Sequence, residues 1–176
     1  MSQPQTAPQR PEPADFPLVA ALPPEIDAEQ AFLRLADRPH CLFFDSARRD
    51  PVLGRYSFVT ADPFDFLEVL PAAAQAHDRV DALDLLAERM RDFVGPSLAG
   101  LPPFQGGAAG LVSYDLGRQL ERLPTPAIDE FAMPALAMGL YDVVVAFDHG
   151  LSQAWILSQG WPERDPDRRR RRAQDR

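Results

Sequence analysis

The sequence contains neither lysine nor asparagine, and each absence excludes a class of chemistry. All 18 basic residues are arginine, so the chain has no lysine for a Walker-type phosphate loop, a Schiff base or general-base catalysis. Without asparagine it has no acceptor for N-linked glycosylation. Cys41 is the only cysteine, so no disulfide can form within the chain, and its place in an apolar run indicates a buried, inert thiol.

Two further shortages concern membranes and nucleic acids. No apolar stretch approaches the ~20 residues that span a bilayer, and the N-terminus lacks the apolar segment of a signal peptide. We therefore expect a cytoplasmic protein with no membrane partner. The 26 acidic residues give a formal net charge of -8, which opposes nucleic-acid binding because that binding depends on cationic contacts with phosphate.

Composition along the chain predicts one folded domain with irregular ends. The 176 residues are 45% hydrophobic, which is enough for a single core, and we place this domain at residues 25–160. Residues 1–24 contain seven prolines, a composition that resists helix and sheet and predicts a disordered arm. Residues 161–176 form an arginine-rich charge run without apolar periodicity, which is typical of a solvated tail.

Within the domain, the apolar patterns predict strands mixed with a few helices. Asp27 and Asp81 are placed to cap two helices, the first reaching Leu35 and the second spanning 81–94. Asp115 is predicted to cap a short helix that carries Arg118. Strands are predicted at 41–46, 55–60, 64–70, 110–114, 135–148 and 153–158. The absence of a regular strand-helix repeat predicts an α+β fold with a mixed, mostly antiparallel sheet.

A segment of small residues, Gly106–Gly110, raises the question of a phosphate-binding loop. The dinucleotide pattern requires glycine where Ala108 stands, and a P-loop requires lysine. Consecutive small residues also allow a strand to lie close against another backbone or beneath large aromatic rings. We therefore predict that this segment serves packing.

No pattern in the sequence identifies a catalytic or metal site. The three histidines, His40, His77 and His149, are far apart in sequence and each is predicted to lie in a loop. Ser46 and Ser113 lack the flanking glycines of a nucleophile elbow. A catalytic pair of carboxylates stays open, because 26 acidic residues offer too many pairs.

Three segments in order, 45–63, 101–124 and 133–149, resemble the N-terminal region of chorismate-utilising enzymes. These are aminodeoxychorismate synthase component I and anthranilate synthase component I, and the resemblance covers about residues 40–158. It implies the N-terminal part of an anthranilate synthase component I-like fold. Gln105 and Gly117 favour the aminodeoxychorismate branch, because the anthranilate branch is expected to carry threonine or serine at the first position and valine at the second.

The resemblance also implies what the full enzyme does. It adds ammonia to chorismate with Mg²⁺, and a glutamine amidotransferase subunit supplies the ammonia. The catalytic carboxylates, the histidine and the metal-binding glutamates belong to a chorismate-binding domain that follows this region. We therefore expect no catalytic residue, metal ligand or cofactor in these 176 residues, and a fragment that is inactive alone.

The family's N-terminal region carries a tryptophan pocket, and the resemblance assigns five residues to it: Ser46, Leu53, Gly54, Arg55 and Tyr56. A serine hydroxyl and exposed backbone groups can hold an amino acid, while tyrosine and leucine supply apolar walls. In the alternative interpretation, Arg55 and Tyr56 only pack and pair at the start of a strand. Two rival functions stay open: an anthranilate synthase component I domain, or a stand-alone amino-acid-binding regulatory module.

Overall fold

The computed structural model describes residues 16–46, 48, 50–71, 81–124 and 128–176, which form two antiparallel sheets and a few helices. The five-stranded sheet has the order β1-β8-β7-β3-β2, with strands β1 (Leu18–Ala21), β2 (Leu42–Phe44), β3 (Tyr56–Thr60), β7 (Val143–Asp148) and β8 (Gln153–Ser158). The three-stranded sheet has the order β4-β6-β5, with β4 (Asp65–Val69), β5 (Gly107–Val112) and β6 (Leu136–Tyr141). The predicted α+β class is confirmed.

Three helices and one 3₁₀ turn complete the described elements: α1 (Ala28–Leu35), α2 (Ala82–Met90), α3 (Pro166–Asp175) and the 3₁₀ turn Tyr114–Gln119. The two predicted caps are confirmed. Asp27 accepts a hydrogen bond from the backbone N–H of Gln30 at 2.8 Å, and Asp81 accepts one from Leu83 at 2.8 Å. Helix α2 ends at Met90, four residues before the predicted end. Among the described helices, none has the length and apolar character needed to cross a bilayer.

Each sheet buries one face against a helix. Helix α1 packs on the five-stranded sheet, where Ala28 and Ala31 lie against Val59, Val145 and Phe147. Helix α2 contributes Ala82 to a second cluster on the three-stranded sheet. Residues before β5, including Phe104, pack on the opposite face of the five-stranded sheet against Ala146 and Leu157. This opposite face carries the candidate site.

The predicted disordered arm is too long at its C-terminal end. Leu18–Ala21 forms β1, which pairs antiparallel with β8 from Trp155 to Ser158. The prolines at 17, 23 and 24 flank this short edge strand without interrupting it. An edge strand tolerates such neighbours because only one side of its backbone is paired. Residues 1–15 of the predicted arm lie outside the described residues.

The predicted strand 135–148 is two strands that belong to different sheets. β6 pairs with β4 and β5 as far as Tyr141, and β7 pairs with β3 and β8 from Val143 onwards. Asp142, fully buried, separates them. Its backbone carbonyl accepts a hydrogen bond from the Gln159 N–H at 2.7 Å. Apolar residues lie on both sides of Asp142 with no Pro-containing or polar turn segment between them, so the sequence pattern does not show the change of partner strands.

The predicted solvated tail is instead a docked helix. Asp165 caps α3 by accepting a hydrogen bond from the Arg168 N–H at 3.0 Å, and Pro166 occupies the first turn, where its missing N–H costs nothing. Ala173 is buried in the contact, and Trp161, just before the helix, is 6% exposed.

Arginines on one face of α3 replace the apolar stripe of an ordinary packed helix. Arg172 donates from Nε to Oδ2 of Asp142, and Arg176 donates from Nη2 to Oδ1, both at 3.2 Å. Arg169 donates from Nε to the Gln159 carbonyl at 2.7 Å. Because the contact is made through ion pairs and arginine stems, a search for apolar periodicity cannot detect this helix.

The short helix after β5 begins two residues earlier than predicted and is capped differently. Ser113 is its N-terminal cap residue, and Asp115 lies inside the first turn. Asp115 accepts a hydrogen bond from Nε of Arg118 at 2.6 Å, while the other nitrogens of Arg118 donate to the carbonyls of Leu123 and Pro124. Arg118 therefore connects the first turn of this helix to the loop that follows it.

The glycine-rich segment forms β5 and supports the packing interpretation at two positions. A Cβ on Gly110 would lie 2.0 Å from the Ala137 carbonyl oxygen of the neighbouring strand. A Cβ on Gly106, whose φ is +122°, would lie 2.9 Å from Gln159 Cγ and 3.2 Å from the Trp161 ring. Only glycine fits such close approaches. The strand begins at Gly107, three residues before the predicted start.

Candidate functional site

An open cleft of about 400 Å³ lies where β2 ends and β3 begins. We call it the aromatic cleft, and its lining residues are Phe43, Phe44, Asp45, Ser46, Val52, Leu53, Tyr56 and Phe58. Antiparallel pairing places Phe44 directly opposite Phe58, so two aromatic rings lie side by side on the same face of the sheet. Tyr56 adds a third ring, 6.1 Å from Phe58 between centroids.

The aromatic cleft brings together three of the five residues that the sequence assigned to a pocket: Ser46, Leu53 and Tyr56. The Ser46 hydroxyl donates a long hydrogen bond of 3.3 Å to the Leu53 carbonyl, which ties the two sides of the opening. The Leu53 side chain is 87% exposed, so this wall faces solvent on its outer side. The cleft therefore has an apolar floor and an incomplete rim.

Gly54 does not line the aromatic cleft but shapes the loop that does. A Cβ at this position would lie 1.9 Å from the Arg48 carbonyl oxygen and 2.8 Å from the Asp50 nitrogen. The Asp50 carboxylate accepts hydrogen bonds from the N–H groups of Val52 and Leu53 at 2.8 and 2.9 Å. These bonds, the one from Leu53 first, lower the pKa of Asp50 below its ordinary value. The tight turn is therefore stabilised most when the aspartate is ionised.

Arg55 also lies outside the lining of the aromatic cleft, because it forms an ion pair. Its Nη2 is 2.7 Å from Asp148 Oδ2, and its Nε is 3.0 Å from Oδ1. Hydrogen bonding to Arg55 holds the pKa of Asp148 below its ordinary value. The guanidinium lies 5.0 Å from the Tyr56 ring centroid, so the pair supports the tyrosine wall from behind. For Arg55 the geometry favours the packing and pairing interpretation.

Asp45 lines the aromatic cleft and was missed by the sequence analysis. Its carboxylate accepts a short hydrogen bond from the Ser57 hydroxyl, and the same hydroxyl lies 2.6 Å from Nε2 of His149. The three residues come from positions 45, 57 and 149, so only the strand pairing brings them together. The one available signal was the position of Asp45 beside Ser46 at the end of a predicted strand.

The histidines occupy different environments. His149 is half-buried at the start of the turn between β7 and β8 and is bonded to a serine that is fully buried. His40 lies in a turn with its ring stacked on Phe66 at 3.7 Å, as the loop prediction implied. His77 lies outside the described residues.

The structure places Cys41 and describes the side chains that could bind a metal ion. Cys41 is half-buried rather than fully buried, and burial raises the pKa of its thiol. This keeps the less reactive protonated form favoured. In the part of the chain that the structure describes, no group of three or more His, Cys, Asp or Glu side chains is placed to hold a metal ion.

Comparison with known proteins decides the relationship of this chain. Aminodeoxychorismate synthase component 1 of Escherichia coli is 32% identical over 139 residues, which cover 74% of this chain and 31% of that protein. Anthranilate synthase component 1 of Saccharomyces cerevisiae is 32% identical over 150 residues, covering 81% of the chain and 29% of that protein. The chain is related to these component 1 proteins.

A third relative extends the match along the chain. Aminodeoxychorismate synthase component 1 of Salmonella typhimurium is 31% identical over 174 residues, covering 86% of the chain and 38% of that protein. No family model matches the sequence. The chain spans about a third of the length of these component 1 relatives. The predicted resemblance is confirmed, and both branches match at similar identity.

Proposed function

We propose that this chain is the N-terminal domain of an aminodeoxychorismate synthase component I, which aminates chorismate to 4-amino-4-deoxychorismate for p-aminobenzoate and folate synthesis. The matches to aminodeoxychorismate synthase component 1 over 74% and 86% of the chain support the component 1 relationship, and the choice of branch rests on Gln105 and Gly117. We assign the amination itself, its magnesium ion and the chorismate-binding residues to a catalytic domain outside these 176 residues. The ammonia comes from a glutamine amidotransferase subunit.

Gln105 is the residue that supports the choice of branch. Its side-chain oxygen accepts a hydrogen bond from the Leu98 N–H at 2.8 Å, and its Nε2 donates to the Leu98 and Pro102 carbonyls at 2.9 and 3.0 Å. The side chain is buried, and three bonds from one amide fasten the loop before β5. A threonine or serine, which the anthranilate branch is expected to carry here, is too short to make all three.

A pair of chimeras tests the branch. In one, this chain replaces the matching segment of the E. coli aminodeoxychorismate synthase component 1; in the other, it replaces that of the S. cerevisiae anthranilate synthase component 1. We expect the first to restore growth of a p-aminobenzoate auxotroph and the second to leave a tryptophan auxotroph unrescued. The host's own segment, reinserted at the same junctions, is the control. The opposite pattern would favour the anthranilate alternative.

A direct assay tests whether the 176 residues act alone. The purified chain is incubated with chorismate, Mg²⁺ and ammonia, and the products are separated by chromatography. We expect no turnover, because the catalytic residues are assigned elsewhere. Any formation of 4-amino-4-deoxychorismate or anthranilate by the purified chain would overturn the proposal of an inactive fragment.

Amino-acid binding in the aromatic cleft is a second candidate function, and it would also suit a stand-alone regulatory module. Three aromatic rings form an apolar floor, Ser46 supplies a hydroxyl, and Asp45 supplies a negative charge for an ammonium group. Tryptophan fits this combination of an apolar ring and a charged end. The exposed outer side of Leu53 is where the catalytic domain would complete the site.

Calorimetry with L-tryptophan tests this candidate. Micromolar binding by the purified chain supports a self-sufficient module, and the absence of heat at millimolar ligand argues against it. Leu53→Ser should weaken binding because it removes one apolar wall. The matched control is Leu120→Ser, since Leu120 has the same exposure of 87% and is not part of the cleft lining.

A further inference from the structure

Ser57 connects the aromatic cleft to His149, which directly follows the neighbouring strand β7. Its side chain is fully buried and does not line the cleft. The hydroxyl donates to Oδ1 of Asp45 and lies 2.6 Å from Nε2 of His149. In this hydrogen-bonded row of His149, Ser57 and Asp45, Asp45 is the member that also lines the aromatic cleft.

The number of protons fixes the direction of this row. A serine hydroxyl has one proton to donate. Since that proton goes to Asp45, the bond to His149 requires the histidine to donate from Nε2. The order is therefore His149 N–H to Ser57 O–H to the Asp45 carboxylate, and both the neutral Nε2–H form and the imidazolium can keep it.

The surroundings of His149 are acidic. His149 and Asp45 line a depression beside α1 together with Asp27 and Glu29. The carboxylate of Asp148, the preceding residue, forms an ion pair with Arg55. The backbone N–H of His149 donates to the Arg55 carbonyl at 2.9 Å, which fixes the position of the histidine relative to β3.

We propose that Ser57 and His149 are positioning residues for Asp45, and that protonation of His149 weakens the hold of the aromatic cleft on an ammonium group. This rests on the proposed amino-acid-binding function of the cleft. The hydrogen bonds orient the Asp45 carboxylate at the end of β2, where the strand no longer constrains it. A positive charge two hydrogen bonds away reduces the negative potential that the ligand's ammonium group meets.

The sign of the pH dependence follows from the residue types. Histidine ordinarily changes charge near pH ~6.5, while an aspartate with an ordinary pKa of ~3.9 stays ionised down to about pH 5. The range from about pH 7.5 to about pH 5.5 therefore spans the ordinary charge change of a histidine side chain and lies above the ordinary pKa of an aspartate. The charges of tryptophan do not change in this range. Ammonium binding should therefore weaken on the acidic side.

Three related probes separate the charged groups of the ligand. L-tryptophan carries an ammonium and a carboxylate, tryptamine only the ammonium, and indole-3-propionate only the carboxylate. For the 176-residue chain we expect tryptophan and tryptamine to bind about fivefold more weakly at the lower pH, the small end of couplings between linked sites. Indole-3-propionate should show no such loss, because it presents no ammonium group to Asp45.

Two variants assign the effect to the row. His149→Gln keeps an N–H donor for Ser57 but cannot become charged, so it should keep the neutral-pH affinity and lose the pH dependence. Ser57→Ala removes the bridge, and we expect about fivefold weaker tryptophan binding at neutral pH with no further loss on acidification. Circular dichroism checks that each variant is folded, and if Ser57→Ala is not, His149→Gln decides alone.

The outcomes separate this inference from the proposed site. A pH dependence in His149→Gln equal to that of the unchanged protein would overturn the inference, as would undiminished binding by a folded Ser57→Ala. If none of the three probes binds the unchanged protein, the amino-acid site itself is wrong, and the inference is overturned with it.

Discussion

The ion pairs beneath α3 allow a quantitative prediction of stability. Asp142 is fully buried, and its two carboxylate oxygens each accept one arginine donor at 3.2 Å. Replacing Arg172 and Arg176 together by methionine keeps apolar stems but removes both positive charges. The buried carboxylate is then uncompensated, which typically costs ~3–5 kcal/mol.

The exposure of the two arginines sets the expected value within that range. The Arg172 side chain is 31% exposed and that of Arg176 is 22% exposed, so water screens part of each pair. We therefore expect the unfolding free energy to fall by about 3 kcal/mol, the lower end for a broken buried pair. Urea unfolding followed by tryptophan fluorescence measures it, since the buried ring of Trp161 lies beside α3.

A matched control removes the same number of charges from the same helix. Arg168 and Arg171 are exposed, and their replacement by methionine should change stability by less than about 0.5 kcal/mol. Adding Asp142→Asn to the Arg172→Met/Arg176→Met variant should recover part of the loss, because it removes the uncompensated charge. If the unfolding free energy of the Arg172→Met/Arg176→Met variant stayed within about 1 kcal/mol of that of the control, the account of α3 docking would be refuted.

Two further predictions concern the acid stability of the cleft region and the close approach of Gly160 to α3. Because Arg55 lowers the pKa of Asp148, the pair should stabilise the protein above the unfolded-state pKa of ~3.9 and lose this contribution as pH falls through the lower folded-state pKa. Arg55→Met should therefore be less stable than the unchanged protein at neutral pH and converge with it in strong acid, as measured by urea unfolding; a constant difference would contradict this. A Cβ on Gly160, whose φ is +67°, would lie 2.2 Å from the Arg169 carbonyl oxygen, so Gly160→Ala should destabilise by about 2 kcal/mol more than a left-handed glycine in open space. Gly100→Ala is that comparison, since φ is +82° there and nothing lies within 4 Å; equal losses of thermal stability would contradict the predicted clash.

Local chemistry made several parts of the fold predictable from sequence. The caps at Asp27 and Asp81 accept hydrogen bonds from N–H groups within three residues, so they can be predicted from a few adjacent residues. The turn between β7 and β8 is likewise short, and the two strands that it joins were predicted. Such features depend on neighbours along the chain, which sequence patterns describe directly.

Long-range pairing made the rest unpredictable. The break at Asp142 depends on partner strands that are remote in sequence, and the docking of α3 depends on a buried charge 30 residues before Arg172. The same reason explains the candidate site. Ser46 and Tyr56 were found through a resemblance, whereas Asp45 became visible only when β3 and β7 brought Ser57 and His149 beside it.

The run from Leu136 to Asp148 has a mechanical consequence for the whole domain. One covalent segment supplies the central strand of the three-stranded sheet and an inner strand of the five-stranded sheet. Neither sheet can lose its register without pulling on the backbone that orders the other. Melting of the two sheets should consequently be a single concerted event, reported alike by probes on either side of Asp142.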